Sequence, residues 1–265
     1  MRIIVTGATG FIGKYVLNEL VKKDYEVSTL SRSQGCDLLN HGQVDEFLRK
    51  SRADILIHLA WDVTHGEFWN SPKNILYRNA SIFLFKKFLD YGGKKIIGGG
   101  TCAEYPTSDQ EVVEDIIVTK EDLSLYGKCK RECFEWLEKN LCDFTWLRIF
   151  NVYGDSEHPQ RLFPSILRSL KEGKDFSIKN PNSFYDYTWV GDVAKCIAEM
   201  INKPGLGAVN VGTGQSMATQ DWYNSIKKNI IIKTIQKANA QSRIPNCKKL
   251  QKNGFFLRNL IPFEL

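Results

Sequence analysis

Short apolar runs alternate with longer stretches of helical period through the first two hundred residues, the pattern of a parallel sheet built from strand–helix–strand units. Strands are expected at 2–6, 25–30, 54–59, 94–98 and 144–149, with helices near 11–23, 43–51, 73–91 and 126–140 between them. Beyond Val152 the alternation loosens into a helix near 163–172, a strand at 186–189, a helix near 192–202, a strand at 208–211 and a helix near 219–230. The expected fold is α/β: a doubly wound parallel sheet over residues 1–152, then a smaller lobe over 153–265 that returns some elements to the sheet.

The first strand runs straight into Gly7-Ala8-Thr9-Gly10-Phe11-Ile12-Gly13, and an amphipathic stretch with Val16, Leu17 and Leu20 on its apolar face follows. Three glycines spaced by three at a strand-to-helix turn suit a pyrophosphate. The first permits a sharp turn, the second lets backbone approach a ligand, and the third lets the helix pack close to the sheet. The helix start adds unpaired N–H groups and the positive end of its dipole. Dinucleotide binding is therefore expected at Gly7, Thr9, Gly10, Phe11, Ile12 and Gly13. An NAD site of this type places an acidic residue near the end of the second strand, whereas an arginine accommodates a 2′-phosphate. Here Ser31 and Arg32 stand there, so NADP(H) is expected over NAD(H).

Tyr126 and Lys130 are four apart in an expected helix and so share one face. An ammonium nearby favours the phenolate and moves the tyrosine toward acid–base use at neutral pH. After the fourth strand comes Gly99-Gly100-Thr101-Cys102-Ala103-Glu104-Tyr105-Pro106, at the strand end where ligands gather in such sheets. The Thr101 hydroxyl there is placed to stabilise charge developing on a substrate oxygen.

Composition changes this picture little, and charge placement changes it more. The chain has 265 residues with 43% hydrophobic and 25% charged positions, ordinary values for a soluble globular protein. No apolar run reaches membrane-span length and no signal peptide opens the chain, so a cytoplasmic protein without a membrane partner is expected. The seven cysteines (36, 102, 129, 133, 142, 196 and 247) form no paired knuckles and read as reduced thiols, with no metal site. Of the 36 basic residues, nine lie between Ile226 and Phe263 with no acidic residue among them, leaving 27 basic against 30 acidic elsewhere. That segment reads either as a solvated tail or as a lid attracting a phosphorylated substrate. Its lysines are not interleaved with aromatics, which argues against a nucleic-acid partner.

The chain to about residue 225 resembles the extended short-chain dehydrogenase/reductases, the NAD(P)-dependent nucleotide-sugar epimerases, dehydratases and ketoreductases. The resemblance rests on the Gly7–Gly13 turn, Asp37-Leu38, His58-Leu59-Ala60, Thr101 with Tyr105, Tyr126 with Lys130, Leu147–Gly154, Asp186-Tyr187 through Ala194, and Val209–Gly212. It implies a Rossmann-type sheet with a C-terminal substrate-binding lobe. By the same likeness Thr101, Tyr126 and Lys130 are the catalytic trio. Asp37 and Leu38 lie on the adenine side, and Leu59, Ala60 and Trp61 join the cofactor-binding set. Asn151 meets the diphosphate, and a homodimer pairs the helices near 73–91 and 126–140.

Departures from the family pattern narrow the chemistry. Its dehydratases usually carry Asp-Glu after the catalytic threonine, whereas Cys102-Ala103 stand here with Glu104 one place late. Dehydration is disfavoured, and an acid–base role for Cys102 is doubtful. Many members carry an arginine before the Asp-Tyr pair, where this chain has Tyr185, so Arg161 or Arg168 is the local substitute for a diphosphate ligand. Substrate contact is expected at Cys102, Glu104, Asn151, Arg161 and Tyr185. The leading expectation is an NADPH-dependent reductase of the 4-keto group of a nucleotide-linked 4-keto-6-deoxyhexose. The alternatives are a nucleotide-sugar 4-epimerase that retains NAD and a noncatalytic NADP-binding regulatory protein.

Overall fold

The computed structural model describes residues 1–108, 110–228 and 243–258. In chain order its elements are β1 (Arg2–Thr6), α1 (Phe11–Val21), β2 (Glu26–Leu30), α2 (His41–Ser51), β3 (Ile55–His58), α3 (Lys73–Asp90), β4 (Lys95–Thr101), β5 (Glu111–Val112), α4 (Leu125–Asn140), β6 (Phe144–Ile149), β7 (Asn151–Tyr153), α5 (Leu162–Lys171), β8 (Phe184–Tyr185), β9 (Tyr187–Trp189), α6 (Val190–Met200), β10 (Gly207–Val211), β11 (Met217–Ala218), α7 (Thr219–Lys228), β12 (Ile244–Pro245) and α8 (Lys248–Lys252). Contacts divide the chain into two units. The first holds residues 1–104, 119–148 and 194–209; the second holds 105–118, 149–193 and the described part of 210–265. Residues 105–118 thus leave the sheet-bearing unit although they lie within 1–152.

A six-stranded sheet ordered β10-β6-β4-β3-β1-β2 forms the first unit's frame, with β1 parallel to β2 and β3, and β3 parallel to β4. Side chains alternate across a strand. Ile4, Leu56, Ile96 and Trp146 therefore share one face and pack under Val44 and Leu48 of α2, Leu84, Phe85 and Phe88 of α3, and Cys133, Phe134 and Leu137 of α4. Ile3, Val5, Ile55, Ile57 and Ile97 are buried on the opposite face. The expected strands and helices of this half are all present within a few residues, except that β4 continues through Gly98-Gly99-Gly100 to Thr101. Glycine there serves neighbouring bulk and does not break the strand: a Cβ on Gly98 or Gly100 would lie 2.4 Å or 2.3 Å from the Trp146 ring.

Within the second unit, β7 pairs with β9, β8 with β11, and β5 with β12. Tyr153, Phe163, Tyr187 and Trp222 close its aromatic core, the last two rings stacked 3.8 Å apart. Asp186 organises the chain beside them. Its buried carboxylate accepts from Thr213 N–H and Oγ1–H, Gly214 N–H, Gln215 N–H and Thr188 Oγ1–H. Burial pushes its pKa upward, and those donors oppose the shift. The strand expected at 186–189 is β9 at 187–189, and the short β8 at 184–185 precedes it across Asp186.

Candidate active site

The turn after β1 is held from beneath by a buried chain of hydroxyls around His58. The Ser81 hydroxyl donates to Tyr77 O, so His58 Nε2–H donates to Ser81 Oγ (2.9 Å) and Nδ1 accepts from Thr6 Oγ1–H (2.8 Å). Thr6 Oγ1 in turn accepts from Leu59 and Ala60 N–H, 3.2 Å each. Burial, with the Lys130 charge nearby, lowers His58 to about 3, so it stays neutral and structural.

On this support Gly7 takes φ +69° and lies so close to the end of β3 that a Cβ would approach Ala60 N to 2.7 Å. A Cβ on Gly13 would meet Gly7 O at 2.0 Å. Gly10 differs. Its φ of −76° is ordinary and its nearest neighbour would be Gly7 O at 3.1 Å, so the fold asks less for a missing side chain there than at its two companions. Gly10 and Thr9 are exposed, Phe11 and Ile12 half-buried. Neither a side-chain cap nor an acidic residue occupies the first turn of α1, leaving its N–H groups and dipole for an anion.

At the end of β2, Ser31 Oγ lies 3.0 Å from Ser33 Oγ and Arg32 is exposed in a single 3-10 turn. Asp37 accepts from Leu39 N–H through Oδ1, and its own N–H donates to Gln43 Oε1. Leu38 is buried beside it, while Leu59, Ala60 and Trp61 are half-buried at the end of β3.

The elements carrying Thr101, Tyr126 and Lys130, the expected trio, are brought against one another by Gly127, which the sequence reading overlooked. A Cβ there would lie 2.1 Å from Ala103 O, so only glycine lets the first turn of α4 press onto the turn Cys102–Glu104 that follows Thr101. Ser124 caps the helix by accepting from Gly127 N–H at 3.2 Å. Tyr126 is 9% exposed and ringed by aromatics: Phe68 at 5.0 Å, Trp69 at 6.1 Å and Trp61 at 6.2 Å between ring centroids. One helical turn on, Lys130 is buried. Its Nζ donates to Gly99 O at 2.6 Å and lies 4.1 Å above the Trp61 ring. Burial lowers its pKa to about 8. Thr101 Oγ1 accepts from Ala103 N–H at 3.2 Å, and Cys102 is partly exposed.

Glu104 is not a substrate contact. It is fully buried, with Oε1 accepting from Thr101 N–H (2.9 Å) and Trp146 Nε1–H (2.9 Å), and Oε2 paired with Arg148 Nε at 3.0 Å. A buried arginine requires a buried partner. Arg148, the one charged residue in the strand Phe144–Ile149, was the sequence signal for this role.

The second unit carries the other expected substrate residues. Asn151, half-buried on β7, donates to Asp186 O at 3.4 Å. Arg161, the N-cap of α5, is exposed and pairs through Nε with Glu157 Oε1 at 2.7 Å. Burial raises Glu157 to about 7 despite that partner. Beside them Arg168 and Lys171 line a cavity of about 430 Å³. Half-buried Tyr185 stands edge-on to Tyr187 at 6.0 Å. Tyr105 donates to Asn210 Oδ1 at 2.7 Å, a structural tie. Of the C-terminal basic residues, Lys227 pairs with Asp175, Arg258 with Asp192, and Arg243 donates to Tyr105 O. Lys233 and Lys237 lie outside the described residues. All seven cysteines lie among the described residues, and none forms a disulfide there. The described residues include no group of three His, Cys, Asp or Glu side chains suited to a metal ion and no helix long and apolar enough to cross a membrane.

A family model described as the NAD dependent epimerase/dehydratase family matches residues 3–212. The chain belongs to this family. Among relatives of this epimerase/dehydratase protein, the GDP-L-colitose synthase of Yersinia pseudotuberculosis is 25% identical over 253 residues, covering 86% of this chain and 82% of the relative. The GDP-6-deoxy-D-talose 4-dehydrogenase of Aggregatibacter actinomycetemcomitans is 28% identical over 214 residues, covering 77% and 71%. In fold, the chain matches a crystal structure of the UDP-glucose 4-epimerase of Thermotoga maritima with UDP-glucose at a TM-score of 0.78 and 21% identity, covering 97% of this chain and 94% of that one.

Proposed function

We propose that the protein is an NADPH-dependent reductase of the 4-keto group of a nucleotide-linked 4-keto-6-deoxyhexose. The observation that carries the reading is the packing of Tyr126, Lys130 and Thr101 around the end of β4, in the unit that also bears the open glycine turn. The space above Gly10 fits a pyrophosphate, because the fold demands so little of that glycine for itself. The reduced dinucleotide supplies a hydride when bound. Arg32 and the absence of a carboxylate at position 31 support the phosphorylated form.

Tyr126 passes its phenolic proton to the C4 oxygen as that carbon becomes an alcohol, and the phenolate regains a proton from solvent. Lys130 holds positive charge close to the phenol and stabilises the phenolate left as the proton transfers. Thr101 donates a hydrogen bond to the same oxygen. Asn151 and Arg161 take the diphosphate in this reading, and Tyr185 contacts substrate. Dehydration is disfavoured because Glu104, the carboxylate nearest to the dehydratase pattern, is locked on Arg148. A homodimer through α3 and α4 belongs to the same reading.

A second reading, a 4-epimerase that retains NAD, draws on the Thermotoga likeness and uses the same trio for oxidation followed by reduction. Absorbance at the reduced-nicotinamide band separates the two. Stoichiometric loss of NADPH with a 4-keto-6-deoxy nucleotide sugar, falling at least about 100-fold in Tyr126→Phe, supports the reductase. Inversion at C4 without net NADPH loss supports the epimerase.

A further inference from the structure

Between β3 and α3 the chain makes a loop whose two ends are tied by one buried amide. Asn74 is 2% exposed. Its Oδ1 accepts from Trp61 Nε1–H at 2.8 Å, and its Nδ2 donates to Phe68 O at 2.6 Å and Ser71 O at 2.9 Å. Asn70 Oδ1 then accepts from Leu125 N–H at 3.2 Å, fastening the loop to the first turn of α4 beside Tyr126. Phe68 and Trp69 stack at 4.7 Å, and both stand edge-on to the Tyr126 ring. Trp69 remains 43% exposed, a large apolar surface left open next to the catalytic phenol. The loop's charges are engaged elsewhere where they are paired: Asp62 accepts from Thr64 and pairs with Lys73 at 3.1 Å.

We propose that Phe68 and Trp69, set by Asn74, form the wall that receives the C5–C6 edge of the sugar and so select a 6-methyl over a 6-hydroxymethyl group. This rests on the ketoreductase reading. If Tyr126 serves the C4 oxygen, the neighbouring C5 and its substituent lie beside whatever flanks Tyr126, and that flank is aromatic. A methyl gains contact with the ring faces, whereas a hydroxymethyl loses water without gaining a partner. Discrimination by an apolar wall of this kind is about 10- to 100-fold. Asn74 is a positioning residue: it touches no reacting atom and acts through Trp61 and the Phe68 carbonyl.

The test compares kcat/KM for a nucleotide-linked 4-keto-6-deoxyhexose with that for its 6-hydroxy counterpart, and cofactor affinity is measured alongside. The wild type should prefer the deoxy sugar at least about tenfold. Trp69→Ala should bring the ratio to near unity, Trp69→Phe should restore most of it, and Asn74→Ala should reduce it although Trp69 is intact. A ratio unchanged in Trp69→Ala overturns the proposal, as does a loss confined to cofactor binding, which would assign the wall to the nicotinamide. If neither ketosugar is reduced, the ratio is read from tryptophan-fluorescence binding of the corresponding 6-deoxy and 6-hydroxy nucleotide sugars. Preferential deoxy-sugar binding that Trp69→Ala abolishes then supports the wall while the reductase reading falls. Absence of binding sinks both.

Discussion

Two glycine runs belong to the same sheet, one following β1 and one within the last residues of β4, and they do opposite things. The first, Gly7 to Gly13, is bare because backbone meets backbone or because space is left open outside the fold. In the second, Gly98 and Gly100 are bare because bulky buried groups occupy the space: the Trp146 ring and, 2.6 Å from a Cβ on Gly100, Glu104 Oε1. One run makes a cradle and the other makes room for a buried Glu104–Arg148–Trp146 cluster that sets the turn carrying Thr101. Glycine spacing alone does not tell these apart. What surrounds the missing Cβ does.

Substitutions separate the two runs. Gly13→Ala should be the most damaging, because its Cβ meets the Gly7 backbone at 2.0 Å and nothing flexible yields. Loss of cofactor binding with a lowered melting temperature is expected. Glu104→Leu leaves the Arg148 charge buried without its partner and should cost about 3–5 kcal/mol in denaturant unfolding, with little change in cofactor affinity per folded molecule. Gly10→Ala should do the reverse. Stability should change by less than about 1 kcal/mol, while the cofactor Kd rises at least about tenfold, or about 1.4 kcal/mol. Equal losses of stability in Gly10→Ala and Gly13→Ala would dissolve the distinction between cradle and packing.

The smallest effect is a pH dependence. Lys130 is charged below about 8 and loses that charge above it, so kcat/KM for reduction should fall as pH rises through about 8. Stability should move the other way. The folded-state value lies below the ordinary 10.5, so between about 8 and 10.5 the unfolded chain binds more protons and this residue's contribution to stability rises with pH. The advantage of Lys130→Met over wild type in unfolding experiments should accordingly shrink across that window.

The sheet was legible because short continuous apolar runs, buried along their whole length in β3, β4 and β6, and strand–helix alternation are local signals, and the glycine turn was legible because its glycines follow a strand at fixed spacing. That Tyr126 and Lys130 stand one turn apart on a helix was legible from their spacing. Glu104 was misread because its partners, Trp146 and Arg148, are more than forty residues away and only the fold brings them together. Gly127 and Asn74 were missed for the same reason: each earns its role from a carbonyl or an indole elsewhere in the chain. The second unit's short strands depend on the Asp186 hub, whose donors at 213–215 no periodicity announces.

In the proposed reaction Tyr126 and its neighbours complete a hydride reduction at C4. The direct measurement supplies NADPH deuterated at the transferable position together with a nucleotide-linked 4-keto-6-deoxyhexose, and locates the label by NMR. One deuteron at C4 for each NADPH consumed, with turnover lost in Tyr126→Phe, is the predicted result. Consumption of NADPH with no label at C4, or a C4-inverted sugar formed with the NADPH untouched, would contradict it.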